Sequence, residues 1–198
     1  MYRRNTGTAV TLLLGVLLVC VPQAGARPLQ GFGADTVGGA GGESYVVTSL
    51  ADSGPGTFRD AVSASNREIS FAVGGTIELE STVRVTGHHL TIDASTAPSP
   101  GITITAAHAG VLGALFDIRG ANDMIVRHIR VIDAPDPEAG DNLRIWDGAC
   151  NIVIDHCSFR RAGDGNVDIC IDAHDITIQW SIIADTVKNS LIRTGLAN

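Results

Sequence analysis

The sequence predicts an all-β fold, a parallel β-helix, because one short pattern recurs along the chain at a nearly constant spacing. Residues 149–159 and 173–183 align without a gap, 24 positions apart, and residues 121–128 fit the same frame 28 positions upstream of Ala149. Each unit contains an Asn or Asp, which favours a turn, followed by a short β-branched strand. A period of about 20–30 residues made of strands and turns is typical of a solenoid. No unit has room for a helix of about ten residues, which excludes leucine-rich and ankyrin-type repeats.

Short strands precede these turns and are also expected in the first half of the chain. In the repeats they are predicted at 115–119, 143–146, 167–171 and 191–193. Upstream they are predicted at 43–49, 69–73, 76–79, 83–85, 90–93 and 102–106. Thr57 is placed to be the N-cap of a short helix that ends at Ser65. Because a solenoid needs its first turn covered, we interpret this helix as the N-terminal cap.

Residues 1–26 are predicted to be a secretory signal that is not part of the fold. Two arginines form a basic start, residues 10–21 are an apolar run too short to span a membrane, and residues 24–26 resemble a cleavage site. Cys20 follows a bulky valine, which argues against a lipid anchor. We therefore expect a secreted protein, extracellular or periplasmic, with one β-helix domain at 27–198 and no stable membrane anchor.

The composition indicates a narrow core and an acidic surface. The 198 residues are 44% hydrophobic but only 5% aromatic, with 23 Gly, which suits stacked Val, Ile and Leu between glycine turns. The formal charge is −7 and becomes −9 when the two arginines of the signal are removed. This charge makes nucleic acid a poor candidate partner, and we expect none, since binding it needs a basic surface. An acidic polymer would need a cation to bridge it to the protein.

Two sets of side chains recur at equivalent positions of the repeats. Turn-forming residues occupy the first set: Asp123, Asn151 and Asp175. Aromatic rings occupy the second set: His128, His156 and Trp180. Asn and Asp tolerate left-handed backbone, so the first set is expected to be a structural ladder. For the second set, packing is favoured over a metal site because Trp180 interrupts the histidines.

Three cysteines remain after the signal: Cys150, Cys157 and Cys170. An odd number leaves at least one free thiol in an oxidising compartment. We interpret all three as small core or turn residues, with a Cys150–Cys170 bridge between adjacent repeats as the alternative.

Two stretches of the chain match a known pattern. The first comprises residues 31–34, 38–42, 47–50 and 52–59, the last reading Asp-Ser-Gly-Pro-Gly-Thr-Phe-Arg. The second comprises residues 141–145 and 151–159, the last reading Asn-Ile-Val-Ile-Asp-His-Cys-Ser-Phe. Between residues 31 and 195 the chain resembles the N-terminal portion of bacterial pectate lyases, which are right-handed parallel β-helices. Ala40 is a small departure, because the family usually has an arginine there.

The resemblance implies a calcium-dependent polysaccharide lyase that cleaves polygalacturonate by β-elimination. Asp141, Asp164 and Asp168 match the family's calcium positions. Calcium prefers oxygen ligands, and it would let an acidic protein hold an acidic polymer. The alternative is that these aspartates only form glycine-rich turns.

Lys188 matches the family's substrate-binding lysine. Thr186 and Val187 before it depart from the family pattern, and the alternative for Lys188 is a solvated turn residue.

The family's catalytic arginine lies in an Arg-x-Pro-x-x-Arg element that nothing here matches. Arg144 and Arg193 do not fit that element, and an ordinary arginine is a poor base. We therefore expect a truncated lyase that is inactive by itself, with an open C-terminal end prone to self-association. The alternatives are a non-catalytic carbohydrate-binding or structural β-helix, and a β-helix enzyme acting on another acidic polysaccharide.

Overall fold

The computed structural model describes residues 28–111 and 113–193, which form a parallel β-helix of three sheets. Sheet A contains β1 (Glu43–Val47), β2 (Arg67–Phe71), β5 (Leu90–Asp93), β8 (Asn122–Arg127), β11 (Cys150–Asp155) and β14 (His174–Gln179). Sheet B contains β3 (Gly75–Leu79), β6 (Ile102–Ala106), β9 (Ile129–Ile132), β12 (Ser158–Arg160) and β15 (Ile182–Ala184). Sheet C contains β4 (Val83–Val85), β7 (Phe116–Arg119), β10 (Leu143–Trp146), β13 (Gly165–Ile169) and β16 (Lys188–Ile192).

The strands of each sheet pair in parallel, in the register that the 24-residue period predicts. Leu143 pairs with Val167, and the neighbours of Asn151 and Asp175 pair likewise, Cys150 with His174 and Ile152 with Ile176. The predicted parallel β-helix is therefore confirmed. Some strand limits differ: the strands expected at 167–171 and 191–193 begin earlier, at Gly165 and Lys188, because those two residues pair with each other.

The short helix α1 (Phe58–Ala61) begins where the sequence predicts. The side chain of Thr57 caps it by accepting a hydrogen bond from the backbone N–H of Asp60. The helix ends at Ala61 rather than at Ser65, so the predicted C-terminal bound is wrong. The backbone already leaves the helical region at Val62, where φ is −88° and ψ is 4°. Two further single-turn 3-10 helices lie at Gly31–Gly33 and Ala94–Thr96.

Phe58, the first residue of α1, packs this helix against the hydrophobic core. Its side chain is fully buried, and its ring lies 6.2 Å from that of Phe71 and 5.6 Å from that of Phe116. The rest of the interior is built from stacked aliphatic side chains, such as Ile104 and Ile154, with no exposed surface. The expected narrow core of stacked aliphatic residues is confirmed.

Single left-handed residues turn the chain between sheets. The predicted ladder Asp123, Asn151 and Asp175 has φ of 56°, 52° and 53° at the C-to-A corner. His128, His156 and Trp180 have φ of 60°, 54° and 51° at the A-to-B corner. Their rings stack, with centroids 5.1 Å and then 6.5 Å apart, as the packing interpretation expects.

An asparagine ladder at the B-to-C corner was not predicted; Asn142 and Asn166 in it are buried, and Asn189 at its end is exposed. Asn142 donates to Asn166 over 2.7 Å, and Asn166 donates to Asn189 over 3.2 Å. These amides satisfy backbone groups of the corner, such as the carbonyl of Arg160. The ladder lies directly beside the residues of the candidate site.

The predicted secretory signal, residues 1–26, lies outside the described residues. Within the described ranges, no helix has the length and apolar character needed to cross a bilayer.

Cys150, Cys157 and Cys170 are free thiols, so the Cys150–Cys170 bridge is not formed. Burial raises the pKa of the Cys157 thiol to about 12, which makes it an inert core group.

Candidate metal centre

The three aspartates expected to bind calcium lie together at the B-to-C corner. Asp141 precedes β10, Asp164 precedes β13, and Asp168 lies within β13. One carboxylate oxygen of each lies within 4.8 Å of the others. They meet because Leu143 and Val167 are paired, so that residues before β10 and around the start of β13 stack on one another. Among the described residues, no other group of three or more acids, histidines or cysteines converges in this way.

Asp141 is the buried member of the cluster, with 1% of its surface exposed. Its Oδ2 accepts from Arg144 Nε at 2.8 Å, and its Oδ1 accepts from the backbone N–H of Gly165 at 3.0 Å. Burial nevertheless raises the pKa of Asp141 to about 6, because the loss of water outweighs the stabilisation by Arg144. A divalent cation would compensate this buried negative charge.

Lys188 reaches into the cluster from β16. Its Nζ lies 2.9 Å from Asp164 Oδ2 and 3.0 Å from Asp168 Oδ2. Burial opposes the charged form of this amine, but the hydrogen bonds to the two carboxylates prevail and raise its pKa. The structure therefore places the predicted substrate-binding lysine on the predicted metal ligands, and not in a solvated turn.

The donor set fits a hard cation. Three carboxylates offer only oxygen, the ligand atom that Ca²⁺ prefers, and each oxygen can accept more than one partner. Gly165 leaves the space between them open: a Cβ there would lie 2.5 Å from Asp168 Oδ1 and 2.7 Å from Asp141 Oδ1. Any larger residue at this position would intrude into the cradle.

The cluster opens onto a groove of about 330 Å³ along the outer face of sheet C. Trp146 and Arg193 line this groove beyond the acids. The guanidinium carbon of Arg119 lies 4.0 Å from the centre of the Trp146 ring. Trp146 Nε1 donates to buried Asp117 over 2.6 Å, which holds the ring against the sheet. The site thus combines anionic ligands with an aromatic and basic rim.

Sequence reasoning missed the groups that support the three aspartates. Arg144 was given no role, although it neutralises Asp141 and its α-carbon pairs in register with that of Asp168. The asparagine ladder was also missed, although Asn142 and Asn166 share the 24-residue spacing and directly follow Asp141 and Gly165. The same period that revealed the strands could have revealed both.

Comparison with known proteins shows similarity to pectate lyases. The chain is 44% identical over 160 residues to the "Probable pectate lyase C" of Emericella nidulans, covering 80% of this chain and 36% of that protein. It is 39% identical over 199 residues to the protein of the same name from Aspergillus terreus, covering 96% of this chain and 44% of that protein. It is 31% identical over 164 residues to the "Probable pectate lyase 4" of Arabidopsis thaliana, covering 79% of this chain and 42% of that protein.

A solved structure shares the fold. The crystal structure of jun a 1, the major allergen from cedar pollen, matches with a TM-score of 0.61 and 26% identity, covering 75% of this chain and 46% of that chain. No protein-family model matches the chain. The chain spans between 36% and 44% of the length of these curated relatives. The expected likeness to pectate lyases is confirmed through fungal and plant homologues; the narrower assignments, to bacterial proteins and to their N-terminal portion, stay predictions.

Proposed function

We propose that this chain carries the calcium-binding and substrate-binding part of a pectate-lyase-type site. The observation that supports this most directly is the convergence of Asp141, Asp164 and Asp168 around the open space beside Gly165. Homology to proteins named pectate lyase suggests the substrate class, a polymer of galacturonate. The acidic polymer and the acidic protein would meet through the cation.

In this proposal each side chain has a distinct task. Asp141, Asp164 and Asp168 would hold Ca²⁺, which supplies neutralisation of a uronate carboxylate when bound. Arg144 keeps Asp141 oriented through its guanidinium. The Lys188 ammonium, attached to a flexible stem, would turn from the acids to a substrate carboxylate once a cation replaces it.

A second candidate function is binding without cleavage, because no residue of this sequence matches the element that holds the family's catalytic arginine. Arg144, the arginine beside the cluster, is held in its charged form: burial works against its charge, but the hydrogen bond and charge of Asp141 prevail and raise its pKa. A base must give up its proton near the working pH, so Arg144 is unsuited to that role. Binding of oligogalacturonate without any rise of unsaturated product would favour this second function.

The proposal is tested by titrating the purified chain with Ca²⁺ while following its melting temperature and its affinity for oligogalacturonate. Calcium should raise the melting temperature, since only the folded chain assembles the three ligands. The double variant Asp164→Asn/Asp168→Asn should lose much of this rise and the calcium-dependent oligosaccharide binding.

The matched control is Asp172→Asn, which removes an exposed acid near the end of β13 at a left-handed position that Asn accepts equally well. It should behave like the parent. Oligosaccharide binding that is independent of calcium, or unchanged in the double variant, would contradict the proposal.

We also propose that the protein is secreted, as the basic start and apolar run within residues 1–26 suggest. Expression of the full chain in a secreting host should yield an extracellular or periplasmic product that begins near Arg27. N-terminal sequencing of that product tests this proposal. An intracellular product that keeps residues 1–26 would refute it.

A further inference from the structure

A second groove, of about 440 Å³, runs along the A-to-B corner. Its walls are formed by residues that follow β5, β8, β11 and β14, so it crosses four successive turns of the solenoid. Because parallel strands lie about 4.8 Å apart, four turns extend the groove over about 14 Å, which is longer than a single sugar ring. The cluster around Asp141 lies at the B-to-C corner, at the opposite edge of sheet B.

Three stacked rings line this groove, those of His128, His156 and Trp180. Packing between turns aligns the rings but leaves much of the last one open to solvent: Trp180 is 51% exposed, and Ile182 beside it in the groove is 60% exposed. Exposed tryptophan is typical of binding surfaces, because the ring offers a large apolar area together with a polar N–H.

The row of rings is held in place by a buried acid. Asp155 is 3% exposed, and its Oδ1 lies 2.7 Å from His156 Nδ1. The same oxygen accepts a hydrogen bond over 3.1 Å from Nε2 of Gln179, the residue before Trp180. A surface that is fixed before its ligand arrives loses little conformational entropy on binding. The rings are therefore suited to act as a stacking platform.

Arg130 provides the polar side of the groove. Its Nε donates to Thr103 Oγ1 over 2.9 Å, and its Nη2 donates to the carbonyl of Pro100 over 2.8 Å. These bonds hold the guanidinium and use two of its five N–H donors, so others can donate to oxygen atoms of a ligand. The described residues that line the groove include no aspartate, glutamate or lysine.

Aromatic rings beside a hydrogen-bond donor fit a sugar chain, and the charge favours an uncharged one. The C–H groups of a sugar ring pack on an aromatic face, and its hydroxyls accept from the guanidinium. A chain of uronates would bring one negative charge per ring to a groove whose lining offers a single arginine, on a protein with a formal charge of −7. An uncharged chain avoids this repulsion.

We infer that this groove binds an uncharged sugar chain, the methyl-esterified form of the galacturonate polymer, and does so without calcium. The kind of sugar rests on the proposed function, whereas the position of the groove does not. The chain would lie across successive turns, with sugar rings stacked on Trp180 and oxygen atoms bound to Arg130. The Asp141 cluster would take the charged form of the polymer through a cation, so the two sites differ in the ligand and in the need for calcium.

The test uses calorimetry on the full chain in a calcium chelator, with fully methyl-esterified oligogalacturonate and its de-esterified counterpart of the same length. The esterified oligomer should bind at one site, and the de-esterified one at least tenfold more weakly. Trp180→Asn should weaken binding of the esterified oligomer at least tenfold, and asparagine accepts the left-handed φ of 51° at this corner. Arg130→Gln should weaken it several-fold.

The matched control is Arg160→Gln, which removes an exposed arginine of β12 that pairs with Asp185 and does not line the groove. It should bind like the parent, and thermal melting checks that each variant is folded. The inference is wrong if the parent does not bind the esterified oligomer, or if folded Trp180→Asn and Arg130→Gln bind it unchanged.

Sedimentation of the parent tests another occupant of this face. Self-association that Trp180→Asn abolishes would show that a second copy of the chain covers the groove, and it would also overturn the inference. Calcium-dependent binding at the Asp141 cluster is judged separately, with the de-esterified oligomer and the Asp164→Asn/Asp168→Asn variant.

Discussion

At the scale of single residues, the candidate site is a balance between acids and the cations already beside them. Asp141 is held by Arg144, while Asp164 and Asp168 are held by Lys188. Three negative charges thus face two positive ones within hydrogen-bonding distance. If the cluster binds calcium as proposed, its affinity depends on how easily the ammonium of Lys188 moves away from Asp164 and Asp168.

Replacing Lys188 with Met should strengthen calcium binding by several-fold to about tenfold, because a competing charge within about 4 Å is removed. The same variant should weaken oligogalacturonate binding, since the ammonium is the expected partner of a uronate. Calorimetry with each ligand measures both. Lys188→Arg keeps the charge and should show no gain in calcium affinity; a gain there would show that charge competition is not the cause.

The raised pKa of Asp141 makes the calcium-free protein lose stability with increasing pH. The folded state binds this proton more tightly than the unfolded state, whose pKa is the ordinary value of 3.8. The contribution is complete below that value and is lost as pH rises through about 6, up to about 3 kcal/mol in all. Denaturation between pH 4 and 7 should show this slope, and Asp141→Asn should flatten it. A stability that rises across this window in the parent, and equally in the variant, would contradict the assignment.

At the scale of elements, the corner between sheets B and C determines where the aspartates stand. Asn142 and Asn166 are fully buried and bond to each other and to the backbone on both sides. Asp141 and Gly165 immediately precede them, so the ladder positions the candidate metal ligand and the glycine beside it.

Asn166→Ala should therefore lower the free energy of unfolding by about 3 kcal/mol or more, because Asn142 and the carbonyl of Ala184 lose their partner in a buried corner. Asn189→Ala, at the end of the ladder, should cost less, since Asn166 Nδ2 keeps its bond to Ala184. Urea denaturation compares the two. Equal losses would mean that the ladder does not act through its buried hydrogen bonds.

At the scale of the whole molecule, the solenoid is a stack in which each turn contacts its neighbours, so damage should stay local. Phe58 covers the first turns through its contacts with Phe71 and Phe116. Phe58→Ala should cost about 3–5 kcal/mol. Hydrogen exchange should accelerate in β1 and β2 and remain slow in β13.

Phe159→Ala serves as the comparison, since Phe159 is equally buried but lies in β12, nearer the other end. Phe159→Ala should accelerate hydrogen exchange first in β12 and in the strands that pair with it. If both variants accelerate exchange uniformly along the chain, the solenoid unfolds as one cooperative unit.

Much of this could be predicted from the sequence because a solenoid repeats its contacts at a fixed interval. The 24-residue period sets the parallel register, the left-handed corner residues and the meeting of Asp141 with Asp164 and Asp168. Strand limits were less predictable, since β13 and β16 begin where neighbouring turns pair rather than where β-branched residues begin. The helix end was missed for a similar reason: the turn towards β2 stops α1 at Ala61.

The fold class, the stacking interval and the residue types available for a cation follow from the repeat in the amino-acid sequence. Which of those residues touch depends on how the whole chain folds. The contacts that matter join residues far apart in the sequence. Lys188 pairs with Asp168, 20 residues away, and the backbone of Gln30 donates to Gln179, 149 residues away. The burial of Asp141 likewise depends on the neighbouring turns. Local propensity and periodicity describe near neighbours and equivalent turns, whereas desolvation and charge pairing depend on what the folded chain brings beside each group.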